Sequence, residues 1–292
     1  RAAGRLRPRC SEKKRFIALE HAYHGDTVGA MSVSGDSVFT QAFAPMLFRV
    51  ERADPPYCYR CPLKLSFPSC RYKCLEPVEA ALKKNRKQIA AFVVEPKVIG
   101  AGGIIVQPPG YLSRLARLCR AYGIPLVADE VATGFGRTGR MFACEHEQVR
   151  PEFMALAKGL TGGTVPLAAT LTTDRVYRAF LGRYEEAKTF FHGHTYTGNP
   201  IGCAAALANL GVFRRHRVLA LMGDKIRFFA RELATLKAKD ALSVAEAFAH
   251  ELETLPEQMK LTLTYDRGSE MARHKLFTEL TNMRVYFADP HS

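Results

Sequence analysis

Residues 153–163 read FMALAKGLTGG, and this stretch contains a single charged side chain, Lys158. The small apolar residues before it indicate a buried strand, and a glycine-rich turn follows it at once. Burying an ammonium group costs free energy unless the group is paired or neutralised. A desolvated lysine has a lowered pKa and becomes a nucleophile near neutral pH. The stretch therefore predicts a buried Lys158 with a chemical role, although a strand can also simply end in a surface lysine.

On both sides of this stretch, predicted strands alternate with predicted helices. Apolar runs predict strands at residues 15–20, 89–96, 124–130, 152–158 and 165–173, and periodicity with capping signals predicts helices at 75–88, 108–123, 199–213 and 218–238. This alternation is typical of an α/β protein whose mostly parallel sheet is covered by helices. In such sheets the chemistry gathers beyond the carboxyl ends of the strands. Asp129 and Lys158 both follow predicted strands, so we expect them to share a site.

A reactive lysine beside a carboxylate suits the chemistry of pyridoxal 5'-phosphate (PLP). The amine forms a Schiff base with the cofactor, and a carboxylate such as Asp129 keeps the pyridine nitrogen protonated. Tyr23 is a candidate to stack on the ring, and the Thr195 hydroxyl is a candidate phosphate contact beside backbone N–H groups. Simpler interpretations stay open, with Asp129 as a helix cap or ion-pair partner, Tyr23 as a core residue and His24 as a loop histidine.

Five longer motifs resemble those of the class-III aminotransferases. They are AYHGDTVGAMSVSG, VVEPKVIGAGGIIVQPPGYL, LVADEVATGFGRTGRMFACEH, LAKGLTGGTVPLAATLTT and FFHGHTYTGNPIGCAAALANL, and the likeness extends from about residue 15 to about residue 237. The resemblance implies the large domain of the fold-type-I PLP transferases. It also implies PLP as the cofactor, small-molecule substrates, no metal ion, and a homodimer with active sites at the subunit interface.

The same resemblance implies roles for individual residues. Lys158 would be the catalytic lysine that carries the cofactor, and Asp129 would be the partner of its pyridine nitrogen. Tyr23 would stack on the cofactor ring and contact the substrate. Gly193 and Thr195 would contact the cofactor phosphate and the substrate across the dimer interface. Arg137 would contact the substrate.

The resemblance ends near Ala238, and residues 239–292 have a different character. This segment resembles part of the integrase-type core of an insertion-sequence transposase, with LTLTYDRGSE as a strand that leads into Asp266. Two-metal phosphoryl transfer needs several carboxylates, so a single aspartate predicts an inactive remnant. Because the family's two terminal portions are not recognisable either, we expect an impaired aminotransferase fragment at 15–238 joined to a transposase remnant at 239–292.

The composition is that of an ordinary globular chain with a high net charge. The 292 residues are 47% hydrophobic and 24% charged, and the net charge is +14. Residues 1–15 alone hold seven Lys and Arg against Glu12. A nucleic-acid-processing protein is therefore the alternative function, suggested by the basic charge and by residues 239–292. No apolar run approaches the roughly 20 residues that span a bilayer, and no secretory signal is recognisable, so we expect a cytoplasmic location.

Four of the eight cysteines form a cluster in CYRCPLKLSFPSCRYKC, residues 58–74. Cys58, Cys61, Cys70 and Cys74 give the spacing C-x2-C followed by C-x3-C, which suits tetrahedral zinc. The eight residues between the two pairs are fewer than in the usual zinc ribbon. A loop of reduced thiols is the simpler interpretation.

Overall fold

The computed structural model describes residues 13–237, 262–265 and 284–287, and the chain divides into two compact units, residues 1–220 and 221–292. The strands are β1 (Arg15–Leu19), β2 (Glu51–Ala53), β3 (Ile89–Val94), β4 (Val98–Ile99), β5 (Ile105–Val106), β6 (Leu126–Asp129), β7 (Phe153–Leu156), β8 (Ala169–Thr172), β9 (Thr262–Tyr265) and β10 (Arg284–Phe287). The α-helices are α1 (Val28–Val33), α2 (Glu76–Asn85), α3 (Tyr111–Ala121), α4 (Asp174–Arg178), α5 (Pro200–Arg215) and α6 (Val218–Lys237).

Six strands form one sheet in the first unit, in the order β2-β1-β3-β6-β7-β8. Neighbouring strands from β2 to β7 are parallel, and β8 runs antiparallel to β7. The mostly parallel α/β sheet predicted from the sequence is therefore confirmed. In the register of β6 and β7, Asp129 pairs with Ala155, three residues before Lys158. This register brings the ends of the two strands to the same edge of the sheet.

The core of the first unit lies between the sheet and the helices α2 and α3. Strand β3 reads IAAFVV, and most of its side chains are buried, as is typical of a central parallel strand. Helix α3 buries the apolar face that the sequence predicted, including Leu112, Leu115 and Cys119. Burying one large apolar side chain stabilises the fold by about 1.5–3 kcal/mol. This packing fixes the strand ends from which the candidate site emerges.

Two predicted boundaries differ from the structure near the site. The strand predicted at residues 152–158 ends at Leu156, because the chain turns into a 3-10 helix at Lys158–Thr161. The three-residue edge strand β2 was not predicted, since Glu51 and Arg52 give it no apolar pattern. The other predicted strands and helices are present, within a few residues at their ends, whereas the short elements α1, β4, β5 and α4 were also not predicted.

Helix α5 begins where the sequence predicted its cap. The Asn199 side chain accepts a hydrogen bond from the Gly202 N–H at 2.7 Å, and Pro200 is the first helical residue. One face of the helix packs against the Lys158–Thr161 turn. Most of its buried or half-buried residues recur every three or four positions, at Gly202, Ala206, Asn209 and Phe213.

The second unit is described in three segments: helix α6 and the strands β9 and β10. The predicted helix at 218–238 is confirmed by α6, and β9 confirms the strand predicted ahead of Asp266. Strands β9 and β10 pair in parallel. Asp266 and the predicted domain boundary at 238 lie outside the described residues. Within the described ranges, no helix has both the length and the apolar character required to cross a membrane.

Candidate active site

The candidate site lies at the carboxyl edge of the sheet in the first unit. Because β1, β3, β6 and β7 are parallel, the chain leaves all four strands at this edge. The sequence predicted Tyr23, Asp129 and Lys158 as residues of this site. It did not predict His24, Glu95 and Glu130, which also lie here.

Asp129 ends β6 and is held by two hydrogen-bond partners. Its Oδ1 accepts a hydrogen bond from the Val131 N–H at 3.0 Å, and its Oδ2 lies 2.7 Å from Nδ1 of His24. The His24 side chain is only 4% exposed, and the backbone N–H of His24 donates a hydrogen bond to Ser34 Oγ at 2.8 Å. These contacts fix the carboxylate in one orientation and couple it to the loop after β1. The ion-pair interpretation of Asp129 and the loop-histidine interpretation of His24 thus describe the same contact.

Glu95 anchors the Tyr23–His24 segment over the end of β3. Its carboxylate accepts hydrogen bonds from the N–H groups of Tyr23 and Gly100, each at 3.0 Å. Burial raises the pKa of Glu95, while the two N–H donors oppose this shift. The buried Gln107 closes the same loop, because its amide donates to the Glu95 carbonyl at 2.7 Å. Nothing in the sequence pattern distinguished Glu95 from an ordinary strand-end carboxylate.

Glu130 holds the loop that follows β6. It is completely buried and accepts hydrogen bonds from Thr133 Oγ1 and from the N–H groups of Ala143 and Cys144, at 2.6–3.0 Å. This explains how the glycine-rich stretch between Glu130 and Ala143 keeps a defined path. Arg137 lies on this stretch and is exposed, so its side chain faces solvent at the rim.

Lys158 lies at the predicted edge of the sheet, but the prediction that it is buried was wrong. Its side chain is exposed, because β7 ends two residues earlier and the backbone has already turned away from the sheet. Its φ of 43° lies in the left-handed region. Asn209 of α5 holds this turn by donating hydrogen bonds to the carbonyl groups of Gly159 and Leu160, at 2.7 and 3.1 Å. The amine is therefore accessible to a ligand at this edge.

Tyr23 lies half-buried beside the Asp129 and Glu95 contacts. Its ring packs edge-on against Phe39, with the centroids 5.5 Å apart. A hydrogen bond with Asp26 raises the pKa of the Tyr23 hydroxyl, and partial burial adds to this shift. The residue is thus neither free on the surface nor part of the fully buried core.

The predicted Gly193 and Thr195 lie in a different environment. Both are exposed in the segment that precedes α5, among exposed aromatic side chains such as Phe191 and Tyr196. The structure brings Tyr23, Asp129 and Lys158 to one sheet edge, while these two residues stand on an open surface. Their implied roles therefore stay predictions.

The chemistry of the residues at the sheet edge fits PLP. A carboxylate accepts about four hydrogen bonds, and Asp129 accepts two from the described residues, so capacity remains for a pyridinium N–H. The buried Nε2 of His24 has no hydrogen-bond partner among the described residues. The accessible Lys158 amine completes the set of groups that the cofactor needs.

The four clustered cysteines line one cavity of about 20 Å³, and none of the six residues of the candidate site belongs to its wall. Burial raises the pKa of Cys74 to about 11, and the nearby thiols of Cys70, Cys58 and Cys61 add to the shift. Among the described residues, no three His, Cys, Asp or Glu side chains are already arranged to hold a metal ion. The zinc interpretation of the spacing therefore stays a prediction.

Comparison with protein-family models identifies a match to residues 2–246, with a model described as aminotransferase class-III. The adenosylmethionine-8-amino-7-oxononanoate aminotransferase of Geobacter sulfurreducens is 52% identical over 226 residues, which are 77% of this chain and 50% of the relative. The protein of the same name from Methanocaldococcus jannaschii is 43% identical over 236 residues, which are 77% of this chain and 51% of the relative.

Solved structures show the same fold. The crystal structure of the M. jannaschii protein superimposes with a TM-score of 0.70 at 41% identity, over 78% of this chain and 50% of that chain. An amine transaminase from an uncultivated Pseudomonas species, solved in a PLP-bound form, gives a TM-score of 0.66 at 37% identity, over 71% and 47% of the two chains. The chain spans about half the length of the curated relatives it matches. It belongs to the class-III aminotransferases, a family of PLP-dependent enzymes.

Proposed function

We propose that this chain forms the cofactor-binding part of a PLP-dependent aminotransferase. The observation that supports this most strongly is the buried Asp129–His24 contact at the end of β6, next to the strand that leads to Lys158. A fixed carboxylate and an accessible amine at one sheet edge are the two groups that PLP chemistry requires of a protein.

The residues of this site have distinct tasks in the proposed reaction. When bound, PLP supplies an electron sink for a carbanion on the substrate. Lys158 would hold the cofactor and would move a proton at the reacting substrate carbon. Asp129 would accept a hydrogen bond from the pyridine N–H, and His24 keeps the Asp129 carboxylate oriented. Tyr23 would stack on the cofactor ring.

The substrates that we propose come from the names of the relatives. Relatives at 43–52% identity are adenosylmethionine-8-amino-7-oxononanoate aminotransferases, and the five sequence motifs also resemble this enzyme of biotin synthesis. The amino group would pass from S-adenosylmethionine to 8-amino-7-oxononanoate and give 7,8-diaminononanoate in two half-reactions. Contacts with these substrates would come from Tyr23, Arg137 and Gly193.

We also propose that the protein is a cytoplasmic homodimer. Exposed apolar side chains such as Phe190, Phe191 and Ile201 lie within eight residues of Gly193 and Thr195 along the chain, and exposed apolar side chains of this kind support a subunit interface. In such a dimer, Gly193 and Thr195 of each subunit would reach the active site of the other subunit, as the family resemblance implies.

For residues 239–292 we propose an origin in a mobile element and no part in the aminotransferase reaction. The change in sequence character near Ala238 supports this origin, and the single aspartate Asp266 supports the lack of activity. Sequencing the genomic locus tests the proposal. A locus with no mobile-element boundary near codon 238 contradicts it.

Covalent capture of the cofactor tests the proposed function. PLP is added to the purified chain, the bound cofactor is fixed to its amine with borohydride, and the labelled peptides are mapped by mass spectrometry. We expect the label on the peptide that contains Lys158 and its loss in Lys158→Ala. Asp129→Asn should keep the label but lower the affinity for PLP about tenfold or more, because the charged acceptor is lost.

Lys64→Ala provides a matched control. Lys64 is exposed and has a φ of 55°, close to the 43° of Lys158, but lies in another loop. This variant should label like the wild type. Equal labelling of many exposed lysines, or unchanged labelling in Lys158→Ala, would contradict the proposal. Salt-sensitive DNA binding without cofactor capture would favour the nucleic-acid alternative.

A further inference from the structure

The loop between β2 and α2, residues 54–75, has no task in the proposed reaction, and we name it the cysteine loop. It holds the cluster of Cys58, Cys61, Cys70 and Cys74. Its regular structure is limited to two short 3-10 turns, Cys58–Arg60 and Lys73–Leu75. Irregular segments of this length in compact domains are usually functional or fixed by an extra constraint.

The four cysteines of this loop line one and the same cavity. The rest of its wall is mainly apolar, with prolines and side chains such as Leu65 and Phe67. A volume of about 20 Å³ admits roughly one water-sized sphere. The cavity is therefore large enough for a single ion and too small for an organic ligand or an iron–sulfur cluster.

A buried tyrosine near Cys74, one of the cysteines of the cavity wall, provides a second observation. Tyr111, the first residue of α3, is completely buried, and its hydroxyl has no hydrogen-bond partner among the described residues. Burial raises the pKa of this hydroxyl, and the nearby Cys74 thiol adds to the shift. A buried hydroxyl without a hydrogen-bond partner destabilises the fold. A thiolate at Cys74 would accept a hydrogen bond from this hydroxyl far better than a thiol does, and such contacts to metal-bound thiolates are common around metal sites.

We propose that Cys58, Cys61, Cys70 and Cys74 bind one zinc ion that closes the cysteine loop. Zinc takes four thiolates in tetrahedral geometry, and all four cysteines are free in the structure. Each thiol releases its proton to the solvent as it binds the ion. Because the sulfur atoms are not yet arranged around one point, side-chain rotation must bring them together.

The cobalt spectrum of the full-length wild-type chain tests the proposal without any substitution. Co²⁺ is added to the reduced, metal-free protein, and the absorbance of cobalt–thiolate bonds is recorded. We expect charge-transfer bands and a d–d pattern typical of tetrahedral thiolate coordination, which disappear as Zn²⁺ is added in equal amount. Elemental analysis after purification with zinc should give about one ion per chain.

Substitutions locate the ion. Cys61→Ser and Cys74→Ser should each lower the bound zinc at least tenfold, whereas Cys203→Ser, an exposed cysteine on α5, should bind zinc like the wild type. Octahedral cobalt bands would overturn the proposal. Zinc that stays bound after all four cysteines are replaced by serine would overturn it as well.

Discussion

Two contacts decide the geometry of the candidate site at the scale of single residues. His24 Nδ1 lies 2.7 Å from Asp129 Oδ2, and Glu95 accepts the N–H of Tyr23 at 3.0 Å. Both contacts join the loop after β1 to strands that are distant in sequence but adjacent in the sheet. Asp129 and Tyr23 were predictable from their residue types and positions. His24 and Glu95 were not, because their importance lies in partners more than 70 residues away.

Removing the His24 side chain should weaken PLP binding. In His24→Ala the buried Asp129 carboxylate loses one of its two partners, which costs about 1–3 kcal/mol, or about 5- to 150-fold in Kd. His24→Asn keeps an N–H donor at a similar position and should lose less. PLP titration followed by absorbance measures the affinity. The control is His216→Ala, which changes an exposed histidine at the end of α5. An unchanged Kd in His24→Ala would show that the His24–Asp129 contact plays no part in holding the cofactor.

At the scale of secondary-structure elements, the sequence predicted the sheet well and the turn after β7 poorly. The apolar runs of β3, β6 and β7 are short and almost uninterrupted, and such runs are typical of parallel strands. The burial of Lys158 was wrong because the pattern extended the strand to the lysine. The real end depends on contacts that no local pattern contains, namely Asn209 of α5 on the Gly159 and Leu160 carbonyl groups.

The turn after β7 also depends on a close contact between Gly159 and Phe135. A Cβ at position 159 would lie 2.7 Å from the Phe135 Cβ and 2.9 Å from its Cδ2. Gly159→Ala should therefore lower the free energy of unfolding by about 1–3 kcal/mol and displace Lys158. Urea unfolding measures the stability, and borohydride capture of PLP measures the position of the amine.

Gly29→Ala is the matched control for this turn. A Cβ at position 29 meets nothing within 4 Å, and the residue lies in α1, so the change should be neutral or stabilising by up to about 1 kcal/mol. Equal stability of Gly159→Ala and the wild type would mean that Phe135 moves aside without cost. The same change in a Phe135→Gly background separates the two cases, because the Cβ and the ring are then absent and Gly159→Ala should cost no stability there if the contact is the cause.

At the scale of the whole molecule, α5 has more apolar surface than its packed face uses. Its sequence is apolar on all sides, yet the only residues of the helix that are buried or half-buried are the stripe at Gly202, Ala206, Asn209 and Phe213 and the adjoining Ala205 and Gly211. Ile201 and Leu207 are 73% and 70% exposed. A helix that is apolar all round is normally covered on more than one side. Neither the sequence pattern nor the fold of one chain shows what covers it, and we attribute the cover to a second subunit.

Charged substitutions on α5 should therefore separate the proposed dimer. Ile201→Glu and Leu207→Glu each place a carboxylate in the interface, where an unpaired charge is strongly unfavourable. Light scattering after size-exclusion chromatography should show a dimer for the wild type and a shift toward the monomer mass for both variants. Val38→Glu, at a position that is 59% exposed in another part of the unit, should leave the mass unchanged. A wild-type chain that elutes as a monomer at all concentrations would rule out the second copy as the cover of α5. Cofactor capture at Lys158 in that monomer would still support the proposed site, because the Asp129–His24 contact lies within one chain.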